Sequence, residues 1–331
     1  MIIETPPWAE AAADAGDGEH EVREAPVDAA QHGQRIDRVL VALAPEFSRS
    51  HLQRLIEDGL VQVDAATIRA ASRRVVAGQR VQVTLRPTAQ ALAFRPETMA
   101  LPIVHEDEHL LVVDKSAGLV VHPGAGNWSG TLLNGLLAHH PGAVSLPRAG
   151  IVHRLDKDTT GLMVVGKTLE AVTALVRSIA AREVGRVYLA IAHGHVSGSP
   201  RDVDAPIGRD PGSRLRMAVV ASGREARTRV RVLAHGPDVS LLRCELHTGR
   251  THQIRVHLAH LGHPLVGDVL YGGRPDLGMR RQALHAAHLA FEHPVGGQPM
   301  AFSSGLPADL AAAWALAGGD ASRASALAQA V

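Results

Sequence analysis

The sequence is short of several things, and each shortage narrows its reading. Its 331 residues include one cysteine, Cys244. A single thiol cannot close an internal disulfide or supply a multi-cysteine zinc site, which fits a reducing compartment. Aromatic residues make up 3% of the chain against 46% hydrophobic overall, so an aliphatic core is expected. No apolar run is long enough to cross a bilayer. The opening MIIETPPWAE lacks the basic end and apolar stretch of a secretory signal, so a cytoplasmic protein with no membrane partner is expected. The nucleophile pattern GxSxG and the phosphate loop GxxxxGK before Ser or Thr are both absent. The glycine-rich GAGNWSG at 124–130 lacks the lysine that such a loop needs and reads as an ordinary loop.

Lysine is scarce too. Only Lys115, Lys157 and Lys167 stand among 34 basic residues, and the rest are arginines. The planar guanidinium suits phosphate and carboxylate. Biased base composition in the coding sequence would produce the same excess. The formal net charge is +1, but residues 1–30 hold eight acids and one arginine, a balance of −7, which leaves +8 on residues 31–331. An acidic leader on an arginine-rich body is compatible with RNA binding.

Histidine is abundant, with 20 in the chain. The run HTGRTHQIRVHLAHLGH holds His247, His252, His257, His260 and His263. It contains no HExxH, no acid follows before Asp268, and Arg250 and Arg255 would repel a cation. No metal and no cofactor are expected.

The texture changes along the chain. Residues 1–30 read as a disordered acidic tail. Residues 33–86 read as a small α/β domain. RIDRVLVALAPEF puts Ile36, Val39, Leu40 and Leu43 at helical spacing, with Pro45 as the stop. Ser48 is the expected N-cap of a second helix that ends at Gly59. Alternating segments follow at 60–64 and 80–85. This stretch carries nine arginines against five acids. Arg35, Arg38, Arg49 and Arg54 lie on its two helices, as a phosphate clamp or as a solvated helix face. The pattern RIDRVL…SRSHLQRLIEDGLVQVD resembles the S4 domain, a small RNA-binding fold.

Residues 87–100 read as a linker and 101–316 as a second domain of short strands, glycine turns and helices. The helix LEAVTALVRSIAAREV places Leu169, Val172, Leu175, Val176 and Ile179 for burial. RVYLAIAHGHV reads as a strand. RTRVRVLAH and VSLLRCELH read as a half-buried antiparallel pair. Residues 317–331 read as a frayed Ala- and Gly-rich tail. The fold class expected is α+β: a mixed, largely antiparallel sheet flanked by helices, behind a small N-terminal α/β domain.

The chemistry concentrates at GIVHRLDKDTTGLMVV. Asp156 sits among His153, Arg154 and Lys157, just before a strand-like run. A carboxylate there is either half of a structural Asp–Arg pair or a reagent that acts as nucleophile or base. HRLDKDTTG at 153–161 resembles the signature of the pseudouridine synthases, with Thr160 where many members have serine. DKSAGLVVHPG at 114–124, RVYLAIAHG at 186–194 and LHTGRTHQIRVHLAHLGHPLVGDVLYG at 246–272 are similar to further motifs of that family, in family order. The resemblance implies isomerisation of uridine to pseudouridine without a cofactor. It implies Asp156 as the group that acts on the ribose, Arg255 as its ion-pair partner and Tyr188 as the ring that stacks on the base. Arg154, Arg250, His252 and Gln253 are implied as RNA contacts. PRAGIVHRLDKDTTGLMVV and RRQALHA resemble the branch that modifies large-subunit rRNA, so rRNA or a ribosomal precursor is the expected partner, met by a monomer. A tRNA-directed member and a non-catalytic ribosome assembly factor are the alternatives. Flipping the target base costs a few kcal/mol, which contacts from an added basic domain offset.

Overall fold

The computed structural model describes residues 20–86 and 91–329. The chain divides into two compact units, Met1–Leu92 and Ala93–Val331. The first unit runs β1 (Glu21–Pro26), α1 (Ile36–Leu43), α2 (Arg49–Glu57), β2 (Val61–Val63), β3 (Ala66–Ile68) and β4 (Arg80–Leu85). Its sheet has the order β1-β4-β2-β3. The helical spacing of RIDRVLVAL buries Ile36, Val39 and Leu40 against Val61, Val63, Val81 and Val83 of the sheet. The Ser48 hydroxyl caps α2 by accepting the His51 N–H, and Gly59 takes the left-handed turn at φ +78°.

The expected disordered tail is wrong for its last third. Residues 1–19 lie outside the described residues, but Glu21–Pro26 is strand β1, paired along its length with β4. Asp28 then caps a short 3-10 turn, Ala29–Gln31. β1 is an edge strand with little buried surface. Backbone pairing and ion pairs such as Arg80–Glu24 hold it, so it carries no hydrophobic signature.

The second unit contains β5 (Ile103–Glu106), β6 (Leu110–Lys115), α3 (Leu132–His139), β7 (Thr160–Gly166), α4 (Leu169–Ala181), β8 (Gly185–His193), β9 (Arg201–Asp204), β10 (Ile207–Arg209), β11 (Met217–Val219), β12 (Arg227–His235), β13 (Val239–Leu246), α5 (Gln253–His260), β14 (Leu284–Glu292), β15 (Pro299–Ser303), α6 (Ala308–Leu316) and α7 (Ala324–Gln329). Among the described residues, nine strands form one sheet in the order β5-β6-β7-β14-β8-β13-β12-β9, with β15 also on β14. Only β7 and β14 run parallel. The mixed, largely antiparallel sheet with flanking helices is as expected.

Helices cover both faces of the sheet. On one face Tyr188, Ala190, Leu242 and Cys244 pack with Leu132 and Leu136 of α3 and with Ile254 and Leu258 of α5. On the other, Val187, Leu189, Ile191 and Leu241 pack under Leu310 and Trp314 of α6 and Ala324 and Ala328 of α7. That is why β8 reads as a nearly unbroken apolar run, each large side chain contributing ~1.5–3 kcal/mol by burial.

Four more expectations need revision. The C-terminal segment is not frayed through residue 329, since α7 packs on the sheet through Ala324 and Ala328. The second half of the expected linker belongs to the second unit. Ala93 is buried, and Asn134 Nδ2 donates to the carbonyls of Ala93 and Arg95. In α4, Val172 and Leu175 are buried as expected, but Leu169 and Val176 are 61% and 48% exposed. The helix lays a narrower stripe on the sheet than its apolar content implies. The pairing of β12 with β13 is antiparallel as read, though β13 lies inside the sheet and is buried on both faces rather than half-buried.

The short loop 156–159, between Leu155 and β7, is held by cations from distant elements. Lys115, at the end of β6, is 1% exposed. Its ammonium donates to the carbonyls of Ser116 at 2.8 Å, Leu119 at 3.0 Å and Lys157 at 2.8 Å. Arg281 Nη1 donates to the Asp158 carbonyl at 2.9 Å, while its Nε and Nη2 grip Asp309. The loop leaves through Gly161 at φ +113°, and a Cβ there would run into the Ala286 carbonyl of β14.

Two outcomes follow from these constraints. Gly161→Ala combines a forbidden backbone angle with a clash, and should lower unfolding stability by about 2–5 kcal/mol in urea titrations. Wild-type stability in that variant would show that the β7–β14 pairing yields. Burial pushes the Lys115 ammonium down to about 8, against partial opposition from Asp158 and Asp156. Between pH 8 and the ordinary lysine value of 10.5 the unfolded chain therefore binds the proton that the folded chain has shed. Stability should rise with pH across that window by up to about 3 kcal/mol relative to Lys115→Met. Parallel stability–pH curves for the two proteins would contradict it.

Candidate active site

The site is built where the loop 156–159 meets the start of α5. Residues 248–253 form a tight approach to that helix, and Gln253 locks it. Its amide oxygen accepts from Thr248 Oγ1 at 2.8 Å and Arg250 N at 2.9 Å. Its Nε2 donates to the Arg227 carbonyl and to Thr228 Oγ1. Expected as an RNA contact, Gln253 is instead buried with both ends of its amide occupied. His252, the residue before α5, has φ +58°, an uncommon angle for a side chain of its size. Such strain persists where the surroundings over-determine it, often at functional sites.

Arg255 lies in the first turn of α5 and its side chain is 8% exposed. Its Nη1 donates to Asp156 Oδ2 at 3.0 Å. Its Nε and Nη2 donate to Asp268 Oδ2 at 2.7 Å and Oδ1 at 2.8 Å, a bidentate pair. The guanidinium also lies 4.9 Å from the centre of the Tyr271 ring. Burial works against its charge, but the two carboxylates outweigh burial and hold it above the ordinary arginine value.

That geometry leaves Asp156 Oδ1 without the arginine. His252 Nε2 lies 3.8 Å from it. His252 Nδ1 is 2.7 Å from the Tyr271 hydroxyl, which accepts the Met217 N–H at 2.9 Å. The hydroxyl is free to give its own proton to Nδ1, and in that arrangement the ring proton sits on Nε2, toward Asp156. Burial lowers the His252 pKa and keeps the ring neutral, against a smaller opposing pull from Asp156.

Asp156, Tyr188, His252 and Arg255 share one cleft of about 510 Å³, with Arg154 and Arg250 on its walls. Tyr188 is buried, which pushes its phenol up to about 12. It is a neutral ring at physiological pH. Arg154 is exposed, and Arg250 Nε donates to the Glu225 carbonyl. Every expected residue of this unit thus lies in or beside one cleft. Asp268 and Tyr271 were not anticipated. The available signal was that no acid occurs between Glu245 and Asp268, a stretch with two arginines and five histidines that needs a counter-charge.

The basic patch of the first unit is more ordered than its charge implies. Asp37 on α1 is fully buried. It accepts from Arg35 Nε and Nη2, from Arg49 Nε and Nη2, and from Gln53 Nε2 at 2.7 Å. The Arg35 guanidinium foremost, then Arg49 and Gln53, hold its carboxyl well below the usual range against the cost of burial. Arg35 and Arg49 are thereby oriented side by side, while Arg38 and Arg54 are exposed on the same two helices. Among the described residues, no group of three or more His, Cys, Asp or Glu side chains is placed to hold a metal ion. No helix among them is long and apolar enough to cross a membrane.

Comparison with known proteins agrees with this geometry. Residues 109–260 match the family model for RNA pseudouridylate synthase, and residues 34–81 match the S4 domain. The chain is 50% identical over 288 residues to the ribosomal large subunit pseudouridine synthase D of Nitrosomonas europaea, covering 85% of this chain and 83% of that protein. It is 47% identical over 322 residues to the protein of that name from Xanthomonas campestris pv. campestris, covering 93% and 96%. Among solved structures, human RNA pseudouridylate synthase domain containing 4 matches with a TM-score of 0.52 at 25% identity, over 70% of this chain and 95% of that one. Human RNA pseudouridylate synthase domain containing 1 matches with a TM-score of 0.51 at 28% identity, over 67% and 86%. A carboxylate held open above a buried arginine, beside a tyrosine ring, thus sits in a chain whose sequence and fold both lead to the same relatives, and the chain belongs to the RNA pseudouridylate synthase family.

Proposed function

We propose that the chain isomerises uridine to pseudouridine in large-subunit rRNA, working in the cytoplasm as a single chain. The observation that carries this reading is Asp156: one of its oxygens accepts from Arg255, and the residue lines a cleft that also holds Tyr188. In this reading the target uridine flips into the cleft and Tyr188 stacks on its base. Asp156 Oδ1 acts on the ribose, and the bond between N1 and C1′ breaks. The freed uracil turns and C5 bonds to C1′. The proton shed at C5 is balanced by one taken up at N1, so no oxidant or group donor enters the balance. Arg255 keeps the carboxylate aimed. Arg154 and Arg250 meet the RNA at the cleft wall, and the arginines of the first unit hold its phosphates.

The reading is tested by mapping pseudouridine in total RNA from cells lacking the gene, complemented with wild type or with Asp156→Asn. Wild type should restore a small number of large-subunit sites. Asp156→Asn should lower the rate by on the order of a thousandfold or more and restore none, with an unchanged melting temperature. Restoration by the Asn variant would sink the catalytic assignment. Restoration of tRNA sites instead of rRNA sites would move the substrate within the family.

The first unit makes its own prediction. Replacing Arg38 and Arg54 with Gln leaves the Asp37 cluster intact. It should weaken RNA binding and reduce the slope of log affinity against log salt by roughly one for each phosphate that the variant no longer neutralises. An unchanged slope would make those arginines a solvated helix face.

A further inference from the structure

Arg186, two residues before Tyr188 on β8, carries a charge that the protein does not compensate. The residue is 7% exposed. Among the described residues its guanidinium has no carboxylate partner, and its Nε is buried without a hydrogen-bond partner. The other strongly buried arginines are spoken for: Arg255 by two aspartates, Arg243 by Glu245 and the Ala328 carbonyl. Burial works against the Arg186 charge, and Tyr188, neutral at physiological pH, supplies no counter-charge. An uncompensated buried cation is expensive, and the expense is recovered where a ligand completes it.

Arg186 faces the Asp156 cleft. The same walls hold two more buried ring nitrogens without partners, His122 Nε2 and His247 Nε2. Burial, aided by Arg154 and Arg148, lowers the His122 pKa to about 4, so His122 adds no charge. The backbone opposite makes room for the guanidinium. A Cβ on Gly249 would lie 2.9 Å from Arg186 Nη1. The cleft is therefore polar, positively charged in its depth and unsatisfied.

We propose that Arg186 is the binding site for a backbone phosphate of the flipped nucleotide, on one of the two linkages that flank it. A neutral base oxygen would satisfy the hydrogen bonds but leave the charge. A phosphodiester oxygen satisfies both, and two fork donors suit its geometry. The bond would form only once the nucleotide has left its stack, so it would offset part of the flipping cost inside the enzyme. The site also places the anion beside Tyr188, which fixes the sugar relative to the stacked base. This inference rests on the RNA-directed reading given above.

The test is a functional-group cycle on a minimal rRNA stem–loop that wild type converts. Each linkage flanking the target uridine is replaced in turn by an uncharged methylphosphonate. With wild type, one of the two should lower kcat/KM by on the order of 10- to 100-fold. Arg186→Gln should show the same loss on unmodified RNA and little further loss with the methylphosphonate. Without RNA, Arg186→Gln should melt no lower than wild type, because the variant removes a buried, unpaired charge. Gly249→Ala, which pushes the guanidinium aside without removing it, should lose part of the same factor. Equal methylphosphonate penalties in wild type and Arg186→Gln at both linkages would overturn the assignment, as would a lower melting temperature that reveals a structural role. Conversion of no RNA by wild type would bring down the functional reading and this inference with it, whereas additivity on a converted RNA brings down this inference alone.

Discussion

One guanidinium shared between two carboxylates sets the terms for the whole cleft. Asp268 is almost fully buried, Arg255 nearly so, and Asp156 is the exposed end of the series. Asp268 takes the two parallel donors of Arg255, so only Nη1 is left for Asp156. Without Asp268 the fork would be free to close on both oxygens of Asp156. The buried acid therefore does more than neutralise. It limits how tightly the reactive carboxylate is gripped. Removing the fully buried partner, Asp268, would cost about 3–5 kcal/mol as buried ion pairs typically do, which ties the site to the stability of the domain.

The rest of the second unit serves to hold that arrangement still. The loop that carries Asp156 is too short to have a core of its own. It is fixed through main-chain carbonyls, by an ammonium from the end of β6 and a guanidinium from just before β14. Cations bound to carbonyls constrain the backbone without a hydrogen-bonded ion pair to Asp156, although Asp156 feels the Lys115 charge. The neutral His252, the neutral Tyr188 and Arg186 share the cleft with Asp156, the one carboxylate among its described lining residues. Such a surface is organised before the substrate arrives, as electrostatic catalysis requires.

How much of this was legible in the sequence depends on what each residue does. Helices with an apolar stripe and a cap, such as α1 and α2, were readable because their signal is local. So was the grouping of Asp156, Arg255 and Tyr188, which their motifs put together and the fold brings into one cleft. β1 escaped because an exposed edge strand is held by backbone pairing and carries no hydrophobic alternation. α7 escaped because alanine and glycine report nothing about the surface they cover. Asp268 and Arg186 escaped for a different reason. Their meaning lies in what stands next to them, or fails to, across tens of residues of chain. The role of Gln253 in the fold was hidden for the reverse reason: it sits within a binding motif, yet its amide is hydrogen-bonded at both ends in holding the turn.

The parallel pairing between β7 and β14 spans two residue pairs, Thr160 with His285 and Ala286 with Gly161. It joins segments 125 residues apart, and Arg281 reaches the Asp158 carbonyl from a separation of 123. This has a consequence for synthesis. A chain emerging from the ribosome exposes its first unit early, and that unit buries its own apolar cluster from contacts within residues 27–85. The loop with Asp156 emerges after Lys115 but long before Arg255, Asp268 and Arg281. Non-local pairings of this kind form late, because chain closure must precede them. A nascent chain can thus hold RNA before it can act on it, and the reactive carboxylate gains its geometry only when nearly the whole polypeptide has been made.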